Sequence, residues 1–138
     1  VSELLPTPVA NDSGMSVEYW DRWVAKLKAK RINGNGHGRS LAIEVQRGQD
    51  AWAKYEPAVT RWAEFTRPAP PRCAPNRNGD NRLSPAFSEW MQGLPAGWVS
   101  GIEGISKRDT ARMIGNTVVP QQAAHALRLL LDDVEAVL

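Results

Sequence analysis

Residues 66–83, TRPAPPRCAPNRNGDNRL, constrain the fold more than any other stretch of the chain. Four prolines, three asparagines and Gly79 fall within it. Proline fixes φ and removes a backbone donor, and Asn and Gly favour turns, so no long helix or central strand can cross this stretch. The sequence therefore reads as two parts, a basic region over 1–83 and a helical region over 84–138. Four arginines, Arg67, Arg72, Arg77 and Arg82, recur at every fifth position with one acid, Asp80, among them. An extended loop of this kind is either a solvated linker or a surface that faces nucleic acid.

On either side the apolar spacing is helical. Ser16 is a predicted N-cap, and Trp20, Trp23, Val24 and Leu27 follow at i, i+3, i+4 and i+7. The opposite face carries Arg22, Lys26, Lys28 and Lys30. Ser40 is predicted to cap a second helix reaching Tyr55, with Gly48 as its weak point. Pro57 opens a third, with Val59, Trp62 and Phe65 inward. Ser84 and Pro85 read as cap and first helical position of a helix burying Phe87, Trp90 and Met91. A short helix, SKRDTARMI, carries Ala111, Met113 and Ile114. Pro120 begins the last helix, whose apolar face is Ala123, Ala124, Leu127, Leu130, Leu131, Val134 and Leu138. No segment alternates as a strand does, and the likeliest short strands are GWVSGI and NTVV. The expected fold is mainly α with long irregular loops and at most a few short strands. Trp90, Trp98, Leu127 and Leu130 are expected to share one core.

Several classes of function drop out. One cysteine, Cys73, and two histidines, His37 and His125, make no metal framework, so no metal site is expected. The NGNGHG stretch lacks the spacing of a phosphate-binding loop and follows no strand. No apolar run has the length of a membrane span, and no signal peptide leads the chain, which predicts a cytoplasmic protein. Residues 1–83 hold 13 Lys and Arg against 9 Asp and Glu, a balance of +4; residues 84–138 hold 4 against 6, a balance of −2. On its own this basic excess fits a solvated face as well as an acidic partner.

Two blocks carry a resemblance. RLSPAFSEWMQGLPAGWV looks like the block that follows the target-recognition region of DNA cytosine-5 methyltransferases. RMIGNTVVPQQAAHALRLLL resembles their last block, a Gly-Asn-x-Val-x-Pro turn that starts the C-terminal helix. LLPTPVANDSG, NGNGHG and YEPAVTRWAEFTRPAP resemble the variable region of actinobacterial and phage members. The resemblance covers nearly the whole chain but only the C-terminal portion of such an enzyme. It implies a C-terminal subdomain without the main parallel sheet.

In that family the Gly-Asn turn helps to line the S-adenosylmethionine pocket, which points here to Gly115, Asn116, Thr117 and Val118. Gly permits positive φ or close backbone approach, and Asn offers donors and acceptors. Read without the resemblance, the same pair is a helix cap and turn. The resemblance also implies DNA contacts. Phosphates would fall to Lys26, Lys28, Lys30, Arg61 and Arg67, and base edges to Arg77, Asn78 and Arg82. The Pro-Cys-Gln, Glu-Asn-Val and Gln-x-Arg-x-Arg segments and the Gly-rich first loop have no counterpart in the chain. No catalytic residue is therefore assigned, and Cys73 among prolines lacks the setting of a nucleophile. The expectation is a DNA-binding, catalytically incomplete part, taking S-adenosylmethionine only when completed by a catalytic half. The alternative is a free-standing phage-encoded derivative, suggested by the initial Val, that binds and modulates a host protein. Its exposed apolar helix faces could also support a homo-oligomer.

Overall fold

A computed structural model describes residues 6–8, 15–31 and 40–135. It is mainly helical with one two-stranded hairpin. The elements run α1 (Val17–Ala29), α2 (Leu41–Glu44), α3 (Gln49–Trp52), a 3-10 turn (Ala53–Tyr55), α4 (Glu56–Phe65), β1 (Cys73–Pro75), β2 (Asn81–Leu83), α5 (Pro85–Met91), α6 (Lys107–Gly115) and α7 (Pro120–Glu135).

The core gathers Leu41, Val45, Trp52, Tyr55, Phe87 and Trp90, with Val59, Trp62, Ala63, Cys73, Leu83 and Met91 against it. These residues come from both sides of the 83/84 boundary. The single helix expected over 40–55 is broken. Gly48 sits extended (ψ 169°) and restarts the helix as the N-cap of α3. The break lets Leu41, Val45, Trp52 and Tyr55 all enter one core. It also places Glu44 beneath Tyr55, whose hydroxyl donates to Glu44 Oε2 (3.0 Å).

Three further expectations are corrected. Phe65 points to solvent, 79% exposed, because the stripe of α4 that packs on the core, half-buried, is Val59, Trp62 and Ala63. Trp98, Leu127 and Leu130 are outside the core, at 65%, 60% and 61% exposure, and only Trp90 of that expected set is buried. The strand pair lies at 73–75 and 81–83, with Cys73 opposite Leu83 and Pro75 opposite Asn81. It does not lie at GWVSGI or NTVV, and the hydrogen bonds show why. Glu89 captures the amides of Gly97, Val99 and Ser100. Asn116 caps α6, and the Val119 carbonyl accepts from Ala123 as α7 begins. These bonds occupy most of the amides of the first segment and both ends of the second. Pro75 is tolerated because a two-stranded hairpin consists of edges.

Ser40 and Ser84, expected as caps, stand at N-cap positions but make no side-chain capping bond, whereas two other serines do. Ser16 Oγ accepts from the Tyr19 amide (3.3 Å) and Ser106 Oγ from the Asp109 amide (3.1 Å). Pro85 stands in the first turn of α5. A second small cluster, Leu94, Val99 and Ile114, joins the loop after α5 to α6.

Candidate nucleic-acid interface and the cavity at the Gly-Asn turn

The four regularly spaced arginines do not share one fate. Arg67 is half-buried and its Nη2 donates to the Leu94 carbonyl (3.2 Å). The Arg72 guanidinium lies 4.8 Å over the Trp52 ring, with Nη1 donating to Gln49 Oε1 (3.0 Å). Arg82 donates to Gln46 Oε1 and to Asp80 Oδ2 (3.2 Å). Only Arg77 stands exposed at the hairpin tip with Asn78 beside it.

That tip is built by one side chain. Asn76 Oδ1 accepts from the amides of Asn78 (2.8 Å) and Asp80 (2.9 Å), and Asn76 Nδ2 donates to Asp80 Oδ2 (3.1 Å). The Asn76 amide donates to the Asp80 carbonyl (2.8 Å), closing the loop. Gly79 takes φ +84°, which favours glycine. The Asn-Gly chemistry that marked this stretch as a loop thus folds it into a turn between two short strands.

The remaining predicted phosphate contacts are exposed. Lys26 and Lys28 lie on α1 and Lys30 is its C-cap, and Arg61 lies on α4 above a shallow groove with Glu56 and Glu64.

The second region is a cavity of about 430 Å³ lined by Thr7, Pro8, Gln92, Gly115, Thr117, Val118, Val119, Gln122 and Ala123. Three of the four residues assigned to the Gly-Asn turn line it; Asn116 does not. Instead the Asn116 amide closes α6 by donating to the carbonyls of Arg112 and Met113. Gly115 is the last residue of α6 and is not among the glycines with positive φ, so it makes no left-handed turn there. Thr117 Oγ1 donates to the Ile114 carbonyl (2.7 Å), which leaves its lone pairs as acceptors. Gln92 is 3% exposed, and its Oε1 has no hydrogen-bond partner. A buried carbonyl oxygen without a donor is costly, and because this one is shut off from solvent a ligand N–H or O–H meets it only when the Gln92 side chain turns toward the cavity.

Compared with protein-family models, with curated proteins and with solved structures, the chain matches none.

Among the described residues the lining carries amides, two hydroxyls and apolar groups, and no charged side chain. It suits the uncharged edge of a ligand. The ammonium, carboxylate and sulfonium charges of S-adenosylmethionine find no counter-charge in it, so these residues fit one wall of such a site and no more.

Cys73 is not poised for attack. Burial pushes its thiol pKa up, outweighing the neighbouring Arg72, and Sγ donates to the Val45 carbonyl (3.1 Å). No cluster of metal-ligating side chains occurs among the described residues. No helix among them is long and apolar enough to cross a membrane.

Sequence reasoning missed two residues. Glu89 and Gln92 follow the apolar Phe87 and Trp90 on a short helix and read as solvent-facing, yet both are buried. The signal for Glu89 was GWVS, eight to eleven residues beyond it, whose turning backbone must place its amides somewhere.

Proposed function

We propose that this chain is the DNA-recognition and C-terminal part of a DNA cytosine-5 methyltransferase, catalytically incomplete on its own. One observation carries the reading. The two blocks that prompted the resemblance converge on a single cavity, Gln92 from the first and Gly115, Thr117 and Val118 from the second. The methyl donor, S-adenosylmethionine, would be held on its other sides by a catalytic half. The chain's own contribution is an acceptor carbonyl, two hydroxyls and an apolar wall.

DNA binding falls to Lys26, Lys28, Lys30 and Arg61 at phosphates, and to Arg77 and Asn78 at base edges. Arg can grip the guanine edge with two parallel hydrogen bonds, and Asn can do the same with adenine. Arg67 and Arg82 add positive potential but are engaged in bracing the loop.

The test is methyl transfer from labelled S-adenosylmethionine to duplex DNA. The isolated chain should incorporate nothing. Fused behind the catalytic half of a cytosine-5 methyltransferase, it should restore incorporation, and Q92L in that fusion should reduce it. Incorporation by the isolated chain would sink the claim of incompleteness. A folded fusion that binds neither cofactor nor DNA would sink the assignment.

The exposed Leu127, Leu129, Leu130 and Leu131 of α7 favour a second reading, a methyltransferase-derived protein that captures a host protein through this face. A Leu-based contact would persist at high salt, whereas DNA binding weakens steeply as counterions are released.

A further inference from the structure

We propose that the outward face of α6 is a second phosphate-gripping surface for duplex DNA, with Arg108 and Arg112 as its contacts. The inference rests on the DNA-binding reading above and extends it to residues that reading does not use. It begins with charge. Residues 84–138 are net acidic, yet three of their four basic residues, Lys107, Arg108 and Arg112, sit on α6.

Helix geometry sorts these three. Thr110 and Ile114 are buried and define the inner face. Arg108 and Arg112 lie one turn apart on the opposite side, separated by about 6 Å along the axis, and both are exposed. Lys107 lies on the flank, and its Nζ donates to the Pro75 carbonyl (2.8 Å). That bond ties the start of α6 to the last residue of β1, directly below the tip that presents Arg77 and Asn78.

Among the described residues no acid forms an ion pair with either arginine. The one acid of α6, Asp109, accepts from Ser106 Oγ (2.6 Å) while its amide returns to the same oxygen. Guanidinium forks on a rigid helix match phosphate oxygens in pairs, which a solvated Lys does less well.

The experiment measures binding of the full chain to a short fluorescent duplex by anisotropy, from about 50 to 200 mM salt. Relative to the wild type, R108A/R112A should flatten the slope of log K against log salt by about 1.8, two phosphate contacts at about 0.9 each. The loss should be the same for every duplex sequence, whereas R77A should change the preference between sequences. R128A removes one charge from α7 and should leave the slope unchanged. An unaltered near-UV spectrum of the tryptophans certifies each variant as folded. A wild-type slope in R108A/R112A, or an equal effect of R128A and R112A, overturns the α6 contact and leaves the DNA reading standing. A wild-type chain that binds no duplex at low salt overturns both.

Discussion

The Trp62 indole N–H donates to the backbone carbonyl of Trp90 (2.9 Å), and the Trp90 indole in turn donates to the carbonyl of Arg67 (2.8 Å). These two bonds fasten α4, the start of the Pro-rich loop and α5 around one aromatic core. Trp90 is 1% exposed, 5.3 Å from the Phe87 ring, and Phe87 is 5.9 Å from Trp52. Trp90→Ala should therefore cost roughly 3–5 kcal/mol, a large share of the stability of a chain of this size. Trp98→Ala, at a site 65% exposed, should cost less than about 0.5 kcal/mol. Urea denaturation measures both, and similar losses for the two would mean that Trp98 is packed.

The Glu89 carboxylate is 0% exposed and serves a whole loop. It accepts from the amides of Gly97 (2.9 Å), Val99 and Ser100 (3.1 Å) and from Ser100 Oγ (2.7 Å). Burial pushes its pKa up, but the donors of Val99, Ser100 and Gly97 together outweigh burial and hold it below the ordinary glutamate range. A depressed carboxylate contributes stability that is fully present above the unfolded pKa, about 4.3, and is lost as pH falls through the folded value. Stability should thus stay flat near neutrality and fall below about pH 4. Glu89→Gln should lower stability at pH 7 by about 1–3 kcal/mol and remove part of the acid slope. An unchanged acid limb in the variant would show that Glu89 does not titrate with folding.

Several helix starts were legible because each rests on a local rule, whereas the break within 40–55 was not. Ser16, Ser106, Pro85 and Pro120 act within one turn of where they stand. The hairpin was not legible, because Pro75 and three asparagines are turn formers. What pairs β1 with β2 is the Asn76 side chain standing in for backbone donors and acceptors across the tip. Arg72 and Arg82 read as free cations because their partners, Trp52, Gln49 and Gln46, lie 20 or more residues away. The cavity was half legible. The Gly-Asn block pointed to Thr117 and Val118, but nothing local marks Gln92 as buried.

Asn76→Ala removes the acceptor that orders the tip and should cost about 1 kcal/mol. Arg77 and Asn78 would then lose their fixed presentation. In duplex binding, discrimination between sequences should fall while the salt slope stays near that of the wild type, since no phosphate contact is lost. Arg77→Ala should cost about 1–3 kcal/mol of discrimination at one base position. If Arg82→Ala abolished discrimination without loosening the fold, base reading would belong to Arg82 and the separation of the arginines would be wrong.

Gln92 offers a test in which function and stability move in opposite directions. Its Oε1 is buried without a donor, so the isolated chain bears the desolvation cost of that atom with no return. Gln92→Met keeps much of the volume and removes the orphan. The isolated variant should be as stable as the wild type, or more stable by about 1 kcal/mol, in urea or thermal unfolding. A ligand with an N–H or O–H directed at the cavity should lose about tenfold in affinity for the same variant, because the acceptor is gone. Destabilisation of the isolated chain by 2 kcal/mol or more would mean that Gln92 is already satisfied by water or by the fold. The cavity beneath the Gly-Asn turn would then be a packing defect and not one wall of a site.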